Sequence, residues 1–312
     1  MEKFYLNQCP ERAKACVATV GMFDGVHLGH QHVIGQVVDK AREMGLASTV
    51  ITFDRPPRQV LDPSFHPQLL TTLAEKESII AQLGVDQLVV LPFTLEMAGL
   101  SAQVFMKQVL REQLQVEVLV TGYDNRFGHD RTEGFEDYVR YGHEMGMQVF
   151  RGDAAMMDDG REPVSSSVIR RLLAVDGRVD LMPHYLTRLY QLCGQVAAGE
   201  HIGHRLGYPT ANLEPDAADK LIPAPGVYAV WASLEGDQKP RAAMMNIGTR
   251  PTFHGNRQTL EVNILGYSGD LYGQSVSVAF VKRLRAERRF ESPEALTAQL
   301  DNDREQVKQL LG

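Results

Sequence analysis

Apolar positions along the chain follow two rhythms, and the change of rhythm divides it. In the first half, short continuous apolar runs alternate with helical patterns. Residues 16–20 form an apolar run ended by Gly21, and residues 31–44 place Val33, Ile34, Val37, Val38 and Ala41 on one side of a helix. Runs at 46–53, 86–92 and 116–120 predict further buried strands, with helices at 74–83 and 102–113 between them. A last helix starts near Ser167 and carries Ile169, Leu172 and Leu173. Alternation of this kind predicts a doubly wound parallel sheet with helices on both faces. From Tyr190 the helical rhythm stops. Strand-like runs at 190–197, 227–233, 242–247, 260–265 and 275–281, set apart by Gly, Pro and Asn turn signals, predict a small antiparallel barrel. Ser292 as N-cap, Pro293 behind it, and Leu296, Leu300, Val307 and Leu310 on one face predict a terminal helix. The α/β-plus-β chain is expected to divide near residue 185, into domains 1–185 and 186–312.

Composition narrows the functions open to such a chain. A length of 312 residues suits two domains, each able to bury a core. The formal charge of -7 argues against a nucleic acid or an anionic membrane as partner, so any phosphate-bearing ligand must be met by local donors. Cys9, Cys16 and Cys193 show no paired spacing, which speaks against a disulfide framework or a cysteine-rich zinc site. Charges at Glu2, Lys3, Glu11, Arg12 and Lys14 interrupt the first residues, and no apolar stretch approaches the ~20 residues of a membrane span. A cytoplasmic chain is expected.

The loop between the first strand and helix reads Gly21-Met22-Phe23-Asp24-Gly25-Val26-His27-Leu28-Gly29-His30. Free N–H groups at a helix start, with the helix dipole, favour an anion there. Glycines let the backbone approach a phosphate, and His27 and His30 stand where they can stabilise charge building on it. A tight turn with two incidental histidines, or a metal site recruiting His32, are the alternatives. Downstream, Ser165, Ser166 and Ser167 precede Arg170 at a predicted helix start, a cluster able to hold phosphates or simply to cap the helix. In the second half, Gly199 and Gly203 punctuate a loop leading to Gly207-Tyr208-Pro209-Thr210-Ala211-Asn212-Leu213, and Glu261 lies in a strand-like run.

These segments resemble, in order, those of the bacterial bifunctional riboflavin kinase/FAD synthetase family. GxFDGxHxGH resembles the FAD synthetase branch of the HxGH nucleotidyltransferases. Residues 122–128 resemble its GxDFxFG segment, with Asn125 where the family has Phe, and 52–57 resemble TFxPHP, with Arg55 and Pro56 in place of Pro and His. The PTAN motif of riboflavin kinases is present at Pro209, Thr210, Ala211 and Asn212, and residues 284–290 resemble LRxExKF. His204 and Asn263 replace the family's Arg and His.

The resemblance implies a Rossmann-like adenylyltransferase domain that converts FMN and ATP to FAD and pyrophosphate. It also implies a Greek-key barrel that phosphorylates riboflavin to FMN, both with Mg2+. It would place Gly21, Phe23, Asp24, Gly25, Gly29, Ser165, Ser166, Ser167 and Arg170 at ATP of the first site, with His27 and His30 catalytic. Asp54, Asp124, Arg126, Phe127 and Gly128 would serve flavin or nucleotide. In the barrel, Gly199, Gly203, Gly207, Pro209, Thr210, Asn212, Arg285 and Phe290 would bind ATP or flavin, and Thr210 and Asn212 would hold Mg2+. Glu261 would take the proton of the riboflavin 5'-hydroxyl. Retention of the kinase alone, and a flavin-binding regulator without turnover, are the rivals that the departures leave open.

Overall fold

The computed structural model describes residues 1–6, 14–123, 126–129, 132–153, 164–197, 210–252, 255–267 and 269–312, without the side chains of 250–252 and 255–257. Two compact units emerge, Met1–Ser166 and Ser167–Gly312.

The first unit is a six-stranded sheet of β1 (Glu2–Tyr5), β2 (Cys16–Val20), β3 (Ala47–Phe53), β4 (Gln87–Leu91), β5 (Val116–Thr121) and β6 (Gln148–Arg151), in the order β1-β4-β3-β2-β5-β6. Every neighbouring pair is parallel. The chain moves outward from β2 through β3 to β4, then returns to the other side of β2 with β5. The loops leaving β2 and β5 therefore diverge at a topological switch point, where open α/β sheets form their crevice. The four predicted strands lie where the apolar runs placed them. β1 and β6 were not predicted: each is an edge strand with one neighbour and a half-exposed or exposed surface, so neither needs an apolar run.

Helix α1 (Leu28–Met44) begins three residues before the predicted start because His27 caps it, its Nδ1 accepting the His30 N–H at 3.3 Å. Val33, Ile34, Val37 and Ala41 form its buried face. Pro57–Leu61 makes a short α2, and α3 (Leu73–Gln82) opens on a capping box between Thr72 and Glu75. The stretch predicted as a helix at 102–113 is α-helical only over Ala102–Val104 and continues as a π-helix, Phe105–Gln113. A helix at Phe135–Glu144, unpredicted because most of its surface is polar, buries Tyr138.

In the second unit β7 (Tyr190–Ala197), β8 (Ala211–Pro215), β9 (Gly226–Leu234), β10 (Arg241–Thr252), β11 (Gly255–Ile264) and β12 (Ser275–Arg285) close an antiparallel barrel in the order β10-β11-β8-β7-β12-β9. The apolar pattern had missed β8, whose Asn212 and Glu214 break the run. The terminal helix Pro293–Leu311 starts as predicted, with Ser292 Oγ accepting the Ala295 N–H. Its inward face differs from the expectation: Leu310 is 44% exposed, while Asp303 is fully buried. Arg285 explains the exchange. Its guanidinium grips Asp303 through Nε and Nη2 at 2.9 and 2.8 Å, and Gln299 donates to the same carboxylate.

Because a buried carboxylate with its cation removed, or the reverse, leaves an uncompensated charge, Asp303→Ala is expected to destabilise the barrel by about 3 kcal/mol. Trp231, the chain's one tryptophan, lies on β9 and reports barrel unfolding in urea by fluorescence. An unchanged midpoint would show that the pair contributes nothing.

Candidate active sites

The loop from β2 to α1 sits at the carboxyl edge of the parallel sheet in a strained conformation. Phe23 and Val26 have φ of 47° and 39°, and Gly25 has 83°. A β-branched residue in the left-handed region persists only where its surroundings hold it. Here they do: Asp24 Oδ1 accepts from the Leu70 and Thr71 N–H groups at 2.9 and 3.1 Å, and the Gly25 N–H donates to Thr71 Oγ1 at 2.9 Å. Gly21 leaves β2 with its N–H bonded to the Ile51 carbonyl. His27 and His30 stack, ring centroids 3.6 Å apart, with the Phe23 edge against His30. A Cβ on Gly29 would come within 3.3 Å of the His27 ring, so glycine is what lets the histidines stack.

His27 Nδ1 is committed to the helix cap. Burial first, then the neighbouring His27 and Lys76, hold His30 well below the usual 6.5, so its imidazole is uncharged near neutrality. Its Nδ1 is buried and has no hydrogen-bond partner among the described residues. Ser166 Oγ donates to the Asp24 carbonyl at 3.0 Å, which brings the start of the serine segment, with Ser165, onto this loop. Ser167 and Arg170 stand further along the helix Ser166–Ala174.

A cavity of about 500 Å³ opens beside the loop, lined by Gly21, Met22, Phe53, Phe93, Arg126 and Phe127, among others. This is the size and character of a small-molecule pocket: mostly apolar walls with a few polar residues, Arg58, Arg126 and His129, among them. Phe127 is fixed by stacking on Tyr138 at 4.2 Å, and its N–H donates to the Tyr138 hydroxyl. Gly128, at φ 98°, lets the backbone pass close to Ala102. Pro56, in the place of the family's histidine, also lines the cavity. Asp54 does not: its carboxylate accepts from the Phe93 N–H and from Arg55, tying the ends of β3 and β4 together. Asp124 and Asn125 lie outside the described residues.

In the barrel, strand register assembles the second site. Glu261 on β11 is paired with Asn212 on β8 at one side and with Asn246 on β10 at the other. Directly opposed residues share a face, so three polar side chains form a row across three strands. Thr210 stands immediately before β8. Asn263, two residues beyond Glu261, is buried. The guanidinium of Arg285 belongs to Asp303 and lies 5.6 Å from the Phe290 ring, which also meets Arg288 at 4.7 Å. Gly199, Gly203, His204, Gly207 and Pro209 lie outside the described residues.

Two residues of the first site, Lys76 and Thr71, were not picked out from the sequence, and Thr52 entered it only as part of the 52–57 segment. Lys76 Nζ donates to Thr52 Oγ1 at 3.1 Å, Thr52 donates to the Met22 carbonyl at 3.2 Å, and Thr71 braces Gly25. The signal for Lys76 was its place between Leu73 and Ile80, on the face of α3 that turns inward.

A glycine- and histidine-bearing strand-to-helix loop at the switch point of a parallel sheet, and a closed barrel with a carboxylate among amides, fit a two-domain transferase acting on nucleotides. Comparison with known proteins gives the family. A model described as FAD synthetase matches residues 9–168, and one described as riboflavin kinase matches residues 186–311. The bifunctional riboflavin kinase/FMN adenylyltransferase of Pseudomonas fluorescens is 36% identical over 298 residues, spanning 95% of this chain and 93% of that protein. The protein of the same description from Escherichia coli K12 is 34% identical over 307 residues, spanning 98% and 96%. Among solved structures, a macrolide-efflux protein from Streptococcus pneumoniae is 30% identical, covers 98% of each chain and superposes with a TM-score of 0.88. Among the described residues here, no helix is long and apolar enough to cross a membrane. The chain belongs to the bifunctional riboflavin kinase/FMN adenylyltransferase family, enzymes with a kinase and a nucleotidyltransferase in one polypeptide.

Proposed function

We propose that residues 186–312 transfer the γ-phosphoryl group of ATP to the 5'-hydroxyl of riboflavin, and that residues 1–185 then join FMN to AMP. In the first reaction the hydroxyl oxygen attacks the γ-phosphorus, its proton goes to Glu261, and ADP leaves. The register that seats Glu261 between Asn212 and Asn246 supports this role, because a base needs fixed neighbours that hold the hydroxyl in line. Thr210 and Asn212 offer neutral oxygens beside that carboxylate, which suits Mg2+, a hard ion that arrives with ATP and takes few protein ligands. Bound there, it would neutralise phosphate charge.

In the second reaction an FMN phosphate oxygen attacks the α-phosphorus of ATP and the bond to pyrophosphate breaks. The nucleophile is already an anion, so this site needs positioning and charge stabilisation rather than a base. The observation that carries the assignment is the adjacency of the stacked histidines' loop to the 500 Å³ cavity, which Gly21 and Met22 also line. The phenylalanine-walled cavity suits the isoalloxazine ring, with Arg126 in its lining for phosphate. His27 and His30 would donate to the α-phosphate as charge builds. Ser165 and Ser166, brought onto the loop by the bond from Ser166 to Asp24, would take the remaining phosphates.

The purified chain mixed with MgATP and riboflavin should give FMN and then FAD, and with FMN should give FAD, on chromatographic analysis. FMN without FAD would overturn the adenylyl-transfer assignment. Absence of any product would overturn both.

A further inference from the structure

Lys76 is a buried cation to which neither reaction above gives a role. It is 3% exposed, on the inward face of α3. Through Thr52 it reaches the Met22 carbonyl, in two hydrogen bonds of 3.1 and 3.2 Å. The loop it reaches is the strained one that carries His27 and His30. Other supports hold that loop too, among them the Asp24 carboxylate on Leu70 and Thr71, the Thr71 hydroxyl on Gly25, and Ser166 on the Asp24 carbonyl. The support under Met22 ends in a positive charge. Burying an ammonium is costly, and an apolar side chain of the same length would fill the space without that cost. The charge itself therefore calls for a use, and the anionic chemistry proposed for the loop above supplies one.

We propose that Lys76 is a positioning residue for adenylyl transfer: its ammonium, acting through Thr52, holds the Met22 carbonyl and with it the strained loop in phosphate-binding shape, and sets a positive field beneath it. This rests on the assignment of adenylyl transfer to that loop. The charged and titratable groups that act on Lys76 or feel it are Asp24 from the loop, Asp54 at the end of β3, and His30 on α1. Burial, opposed by the pull of Asp24 and Asp54, pushes the ammonium down to about 8. In the folded protein the charge is thus present below that pH and lost above it. The unfolded chain keeps its proton up to about 10.5, so between about 8 and 10.5 stability rises with pH. Below that window the buried charge costs stability, and an uncharged residue relieves the cost.

The test compares the full-length wild type with Lys76→Met and Lys76→Arg, using FMN and MgATP from pH 6 to 9.5. Lys76→Met is expected to lower kcat for FAD formation roughly 10²-fold, the scale of a lost electrostatic contact, without lowering the unfolding midpoint at pH 7. Wild-type kcat/KM for ATP should fall on the alkaline side of about 8. Lys76→Arg should recover much of the activity and carry it to higher pH, since a guanidinium keeps its charge. FMN formation from riboflavin should be the same in all three. The proposal is overturned if Lys76→Met stays within about twofold of wild type, a change too small for a lost electrostatic contact. A lowered midpoint with no recovery in Lys76→Arg and an unmoved alkaline limb would overturn it equally, by showing a packing role. FAD formation that survives changing both His27 and His30 to alanine would instead overturn the loop's assignment.

Discussion

Glu261→Gln should lower FMN formation by about 10³-fold, in the middle of the range for loss of a general base and worth about 4 kcal/mol of barrier. The amide keeps the size and the strand register with Asn212 and Asn246. What it removes is the capacity to take the hydroxyl proton at the moment the oxygen attacks. Riboflavin and ATP should still bind, so the loss should fall on kcat rather than KM. FAD formation from supplied FMN should not change, because the histidine loop and its strands belong to the other unit and Glu261 to the barrel. Steady-state assays of the two half-reactions on one preparation decide the matter. Persistent FMN synthesis would remove Glu261 from its role, and equal loss of both reactions in a folded variant would show that the sites are not separate.

His27→Ala combined with His30→Ala should have the opposite outcome: FAD formation falls by about 10³-fold or more, and FMN formation is untouched. Part of the expected change is structural and small. His27 caps α1, and loss of an N-cap costs about 1 kcal/mol, too little to unfold a domain by itself. His27→Asn separates the two effects, since asparagine caps a helix well but cannot replace an imidazole facing a phosphate. If His27→Asn restores the fold's stability and not FAD synthesis, the loss is chemical. If FAD synthesis persists in the double variant, the stacked pair has another purpose.

Much of this was legible along the chain. The buried strands of the first sheet announced themselves as apolar runs because each, lying between two neighbours and under helices, must be apolar on both faces. Ser292 and Pro293 marked the terminal helix because capping chemistry is local. Elements whose partners supply what their own residues lack were not legible. β8 breaks its apolar pattern at Asn212, yet it is a strand because β7 and β11 pair with it. Asp303 reads as a surface carboxylate until Arg285, eighteen residues earlier in the chain, is seen to close on it.

The same division holds at the sites. His27, His30 and Glu261 could be named from order and residue type, since the glycine-histidine loop and the strand carboxylate are local signatures. Lys76 could not, because a lysine in a helix is ordinarily solvated and only the packing of α3 against the sheet buries it. Arg285, read from the sequence as a ligand contact, is also the partner of buried Asp303, which the sequence did not show. By itself, then, the sequence determined the two-part architecture and the glycine-histidine loop between the first strand and helix, because helix capping, strand periodicity and turn chemistry act over a few neighbouring residues. Only the tertiary structure decided which charges are buried and against what, because burial and pairing depend on strands and helices that approach from distant parts of the chain.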